Sequence, residues 1–177
     1  KHLKALTDQG TPVFYIHGNR DFLIGQLFSE QTGVTLLDEY SVIDLYGTST
    51  LLTHGDLLCT DDLPYQAFRT KSHSAKWQEN VLSKPLILRL LYARWYRLRS
   101  YFHKRKKSQG IMDVNQQTIT QIMQKYQTRR LIHGHTHRPA VHDLKIQGQT
   151  AQRFVLAEWK KDSASLLSWS ESGYKVE

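Results

Sequence analysis

The sequence predicts an α/β (α+β) fold interrupted by a helical insertion, on three observations. Three short apolar runs each end in a polar loop built from Gly, Asn, His and Asp. Helical periodicity fills residues 78–107. Apolar and polar residues then alternate through 140–177, with breaks at Gly148 and Gly173. Short apolar runs closed by turn residues read as buried strands, a 3.6-residue period as helix, and alternation as half-buried strands.

Taken in order, residues 1–9 read as the end of a helix closed by Gly10. Residues 13–16 form a buried strand that delivers His17-Gly18-Asn19-Arg20-Asp21. Residues 22–31 read as a helix, with Gly33 behind it. Residues 42–45 and 50–52 are strands joined through Gly47, and the second ends at Thr53-His54-Gly55-Asp56. A helical segment begins at 63–68, and Pro85 breaks the long pattern of 78–107 or opens a new first turn. Asp113 is placed to cap a helix over 114–126, with Ile119, Ile122, Met123 and Tyr126 as its apolar stripe. Residues 130–133 make a short strand into Gly134-His135-Thr136-His137, and strands follow at 141–146, 153–159 and 165–169, with a last short one behind them.

Composition narrows the function classes. The chain has 177 residues, 40% hydrophobic and 11% aromatic, which suits one folded domain with a sizeable core. Cys59 is the single cysteine, so no disulfide framework forms within the chain, as expected in a reducing compartment such as the cytoplasm. No apolar run approaches the roughly 18 residues of a membrane span, and the longest, 85–91, is interrupted by Arg89. The chain starts at Lys1, without Met and inside a polar helical pattern, so it is expected to be part of a longer protein. A net charge of +8 points to a polyanionic partner: a phosphorylated substrate, an anionic lipid surface or nucleic acid.

The chemistry is expected in the three loops that follow apolar strands, because α/β folds build sites at strand ends. An H-x-H pair on extended backbone, as His135 and His137 would be, points both imidazoles to one side. Imidazole suits Mn, Fe, Ni or Zn. A surface histidine cluster remains the plain alternative for that pair alone. His54 by itself is more often structural, and Gly-Asn commonly makes a turn. An asparagine amide oxygen can also ligate a hard cation, and Arg20 can grip a phosphate bidentately.

Together, Gly18-Asn19-Arg20-Asp21, His54-Gly55 and Gly134-His135-Thr136-His137 resemble the last three of the five motifs of the calcineurin-like metallophosphoesterases. That resemblance implies a β-sandwich flanked by helices, in which the five motifs D-x-H, G-D, G-N-[HR]-[DE], H-G and G-H-x-H hold two metals. The first two motifs would precede Lys1, since neither Asp8 nor Asp21 sits in such a context. By the family pattern Asn19, His54 and His135 ligate one metal and His137 the other. Many members carry His where this chain has Arg20. A guanidinium does not give up a proton near neutrality, so the leaving group must need little protonation.

Closer still, residues 14–25, 52–62 with Tyr65 and Phe68, and 131–139 resemble the UDP-2,3-diacylglucosamine pyrophosphatase family. The resemblance implies hydrolysis of that acylated UDP-sugar to UMP and 2,3-diacylglucosamine 1-phosphate in lipid A synthesis, with two Mn²⁺ ions. It implies a core of residues 1–62 and 111–177, and a helical insertion, 63–110, that forms the lipid-substrate site. It makes Arg20 and His135 catalytic, and Asn19, Arg20, Asp62, Ser100, Lys104, Lys107 and His135 substrate contacts. Asp62 is equally placed to cap the next helix, Ser100 to face solvent, and Lys104 with Lys107 to form a solvated basic face. The insertion combines Leu86, Leu90, Leu91, Tyr92, Trp95 and Leu98 with Arg94, Arg97 and Arg99, which suits acyl chains and the anionic inner-membrane surface. The enzyme is therefore expected to be cytoplasmic and peripheral on that membrane, with no obligate protein partner and no nucleic acid. Two alternatives stay open: a soluble nucleotide or cyclic-nucleotide phosphodiesterase with the same metal site, and a nucleic-acid-binding module using residues 94–107.

Overall fold

The computed structural model describes residues 1–104 and 113–177, with the backbone alone for 101–104. Among these residues the order is α1 (His2–Asp8), β1 (Phe14–Tyr15), α2 (Gln26–Thr32), β2 (Thr35–Leu36), β3 (Ser41–Leu45), β4 (Thr48–Thr53), a 3₁₀ turn (Asp56–Leu58), α3 (Leu63–Ser72), α4 (Ala75–Leu82) and α5 (Leu86–Lys104). After these come α6 (Gln116–Lys125), β5 (Arg130–His133), β6 (Ala140–Ile146), β7 (Gln149–Val155), β8 (Leu167–Ser170) and β9 (Gly173–Val176). This mixed content, with a central mixed sheet and helices, agrees with the α/β class. The chain divides into two compact units: Lys1–Leu58 with Val114–Glu177, and Cys59–Asp113.

The first unit is built on a five-stranded sheet of order β3-β4-β5-β7-β6. β3 and β4 form a hairpin whose turn, Tyr46-Gly47, has positive φ at both residues, as a type I′ turn requires. Gln147-Gly148 repeats the device between β6 and β7. β4 pairs parallel with β5, and β5 parallel with β7. The register sets Leu51 beside Leu131, and Leu131 beside Arg153. Leu51, Leu131, His133, Ala151 and Arg153 thus share a face, and all five are buried. Ile119 and Met123 of α6 are buried as well, and α6 packs against β6. On the opposite face Phe154 meets Trp169 and Tyr174 of the β8–β9 hairpin edge-on at about 5 Å, and the Arg130 guanidinium lies 4.1 Å from the Trp169 ring centre. Each fully buried aliphatic side chain here contributes about 1.5–3 kcal/mol.

The second unit holds α3, α4 and α5. Asp62 caps α3, its Oδ1 accepting from the Tyr65 N–H at 3.1 Å. Pro85 separates α4 from α5, and Phe68 of α3 stacks obliquely with Tyr96 of α5 at 5.1 Å. Leu86, Ile87, Leu90, Leu91, Tyr92, Trp95 and Leu98 of α5 are exposed, as are Arg94, Arg97 and Arg99.

Four expectations need correction. The strand at 13–16 is only two residues long, pairs with β2 alone among the described residues, and leaves Phe14 exposed. Residues 22–25 are not helical: the Ile24 N–H donates to Asp21 O at 2.9 Å, which closes a turn, and extended Gly25 then caps α2. α6 is capped by Asn115, not Asp113: its Oδ1 accepts from the Thr118 N–H, while its own N–H is held by Leu58 O at 2.8 Å. Residues 156–159 do not continue β7.

Candidate metal centre

Parallel pairing of β4 with β5 sets Thr53 against His133, so both chains leave the sheet side by side. The Gly134 N–H donates to His54 O at 2.9 Å, tying the two loops together at the strand ends. Gly55 permits this approach. Its φ is +111°, and a Cβ there would stand 2.8 Å from His133 Nδ1 and 3.1 Å from Gly134 O. His133 beneath them is fully buried, with Nδ1 2.9 Å from Gly134 O and Nε2 3.2 Å from Arg153 Nη1. Arginine only donates, so Nε2 is the acceptor and Nδ1–H the donor to the carbonyl. His133 is therefore a packed brace of the loop, as a structural histidine should be.

The loop above it departs from expectation. His135 and His137 have φ of +66° and +54°, left-handed values, so the pair does not lie on extended backbone. Alternation along a strand does not explain where their rings point. Instead, His135 Nδ1 reaches His54 Nε2 at 3.2 Å, with the rings inclined by 72°. Two imidazole nitrogens bound about 2.1 Å from one cation, at angles near 90–110°, stand about 3.0–3.4 Å apart. The spacing of these two nitrogens fits a shared ion, and their chemistry suits a divalent one.

The Asn19 loop lies alongside. Gly18 is close enough to His54 that a Cβ would come within 3.1 Å of its Cε1 and 3.0 Å of Asp21 Oδ1. Asp21 locks the turn that carries Asn19 and Arg20. Its Oδ1 accepts from the Gly18 N–H at 2.6 Å, and its Oδ2 accepts from the Tyr15 hydroxyl. Burial, then the Asp21 bond and charge, push the Tyr15 hydroxyl above its ordinary range, so it stays protonated as a donor. His17 Nε2 donates to Ile24 O at 2.6 Å and packs edge-on to Tyr15, closing the turn from its other side.

The structure thus brings His54 and His135 together and sets the loop bearing Asn19 and Arg20 beside them. The ring of His137 is engaged by an acid, Nδ1 to Glu158 Oε2 at 2.8 Å. Among the described residues no three His, Cys, Asp or Glu side chains converge as a metal-holding group, so His137 does not complete such a group with the other two. Asp62 serves α3 as its cap, Ser100 is exposed on α5, Lys104 is the last described residue of that helix, and Lys107 lies outside the described residues. Sequence reasoning missed Tyr15 and Glu158. The period-2 spacing of Tyr15 from His17 gives no hint of its bond to Asp21, and Glu158 follows a strand without any motif.

Comparison with known proteins bears on the same residues. A model of the calcineurin-like phosphoesterases matches residues 1–139. A relative named UDP-2,3-diacylglucosamine hydrolase from Salmonella typhi is 50% identical over 162 residues, which is 92% of this chain and 68% of the relative. Equally named relatives from Salmonella arizonae and Escherichia coli O81 (strain ED1a) are 50% and 49% identical over the same share. The family implies divalent metal ions. The chain belongs to the calcineurin-like phosphoesterase family, among its UDP-2,3-diacylglucosamine hydrolases.

Proposed function

We propose that the protein hydrolyses the pyrophosphate bond of UDP-2,3-diacylglucosamine, releasing UMP and 2,3-diacylglucosamine 1-phosphate in lipid A synthesis. The observation that carries the reading is half identity over nine tenths of the chain to relatives bearing that enzyme's name. The closed His54–His135 contact supports it.

Asn19, His54 and His135 would hold one cation and His137 a second, both Mn²⁺. Bound there, the two ions supply a water of lowered pKa and neutralise the phosphoryl oxygens. The rest falls to the chain's own groups. To take an ion, His54 Nε2 and His135 Nδ1 must each be bare, so each ring then carries its proton on its other nitrogen. Arg20 keeps its charge and holds the pyrophosphate without donating a proton. Cleavage therefore depends on a leaving group already weakly basic, which UMP and a sugar phosphate both are and an alkoxide is not. Asp21, held by Tyr15, keeps the Asn19–Arg20 turn aligned while charge builds on the phosphate.

In the second unit, the exposed apolar residues and arginines of α5 would receive acyl chains and the anionic inner-membrane surface. Asp62, Ser100, Lys104 and Lys107 would contact the UDP-glucosamine part. The enzyme would then work in the cytoplasm, peripheral on the inner face of that membrane. The test sets detergent-dispersed UDP-2,3-diacylglucosamine against UDP-glucose and cyclic nucleotides under Mn²⁺. Turnover of the acylated substrate alone is expected, and comparable turnover of the soluble nucleotides would refute the assignment.

A further inference from the structure

His137 differs from the other candidate ligands in having a carboxylate at its ring. Its Nδ1 stands 2.8 Å from Glu158 Oε2. The topology explains how Glu158 arrives there. β7 runs parallel to β5, and the Leu156 N–H donates to His133 O at 2.8 Å. The chain leaving β7 is thereby laid beside the chain leaving β5, and the Glu158 side chain comes within reach of the His137 ring.

The pair adds little stability. The side chains of His137 and Glu158 are 49% and 47% exposed, and even a fully charged pair so placed is worth about 0–1 kcal/mol. Its consequence is orientation. A carboxylate accepting from Nδ1 fixes the Nδ1–H tautomer and leaves the lone pair on Nε2. His137 sits at φ +54°, where the backbone alone holds a non-glycine residue poorly, so a side-chain tether has something to do.

We infer that Glu158 is a positioning residue of the metal centre, which presents His137 Nε2 to an ion by holding its Nδ1–H. This rests on the reading of His137 as a ligand. Glu158 touches neither substrate nor reacting atoms, and it acts through the histidine.

The test uses the protein as it occurs in the cell, stripped of metal, with Glu158→Ala, Glu158→Gln, His137→Ala and the His137→Ala/Glu158→Ala double variant. Mn²⁺ binding is titrated by calorimetry and by the paramagnetic resonance of free Mn²⁺, and the metal-free proteins are melted. Glu158→Ala is expected to weaken binding of one Mn²⁺ by about 10–100-fold, with excess Mn²⁺ restoring activity. Glu158→Gln, which still accepts the N–H, falls between Ala and the parent. Metal-free melting is unchanged throughout, and the double variant binds no worse than His137→Ala alone. Unchanged Mn²⁺ affinity in Glu158→Ala, while His137→Ala loses an ion, overturns the inference and leaves the ligand assignment standing. A clear drop in metal-free melting for Glu158→Ala also overturns it, since the role would then be structural. Retention of both ions by His137→Ala removes the ligand reading itself.

Discussion

Replacing Gly55 with Ala is expected to unseat the metal centre from below. Two costs combine. At φ +111° any side chain is strained, by about 1–3 kcal/mol. The new Cβ would also meet His133 Nδ1 at 2.8 Å and Gly134 O at 3.1 Å. Neither neighbour yields easily: His133 is fully buried and held by Arg153, and Gly134 is hydrogen-bonded back to His54 O. Overpacking of this kind adds about 1–3 kcal/mol. For a total near 4 kcal/mol, Tm should fall by about 8–16 °C. Gly148→Ala is the control. Its φ of +77° carries similar strain, but nothing lies within 4 Å of its Cβ position. Thermal melting and Mn²⁺ titration of both variants separate the terms. Gly148→Ala should melt a few degrees low and bind metal normally, whereas Gly55→Ala should melt much lower and bind metal weakly. If Gly55→Ala melts with Gly148→Ala and keeps its metal, the close approach of the two loops is refuted.

Gly18→Ala carries no positive φ but presses a methyl against His54 and Asp21, so Mn²⁺ affinity should fall about tenfold with little change in melting. Tyr15→Phe removes the donor that holds Asp21 and should cost about 1–2 kcal/mol in urea unfolding. Because the folded hydroxyl titrates above the free value of 10.0, that difference should be full below about pH 10 and shrink as pH rises through the folded value. Equal urea midpoints at pH 8 would refute the clamp. Arg20→Lys keeps the charge and loses the fork, so kcat/KM should drop about 10-fold, and Arg20→Ala about 10²–10³-fold, in the acyl-substrate assay.

Much of this centre was legible because apolar runs ending in polar loops mark strand ends whatever the rest of the chain does. β4 and β5 appear where the runs before His54 and Gly134 place them. That these two strands lie adjacent and parallel, which is what joins His54 to His135, is a tertiary fact with no local signal. The spacing argument for His135 and His137 reached the loop by a wrong route, since backbone at positive φ does not alternate faces as a strand does. Asp113 and Asn115 are both cap residues. The bond from Leu58 O to the Asn115 N–H decides between them, across more than fifty residues of chain. Glu158 was invisible for the same reason: an acid after a strand means nothing until β7 is known to run beside β5.

Crystals of the protein as it occurs in the cell, grown with Mn²⁺ and measured for anomalous scattering, test the central claim most directly. The account predicts two manganese peaks about 3.5–4 Å apart, one at bonding distance from His54 Nε2, His135 Nδ1 and the Asn19 amide oxygen, the other from His137 Nε2. Manganese bound elsewhere, with His54 Nε2 and His135 Nδ1 still in contact with each other and with no ion, would contradict it.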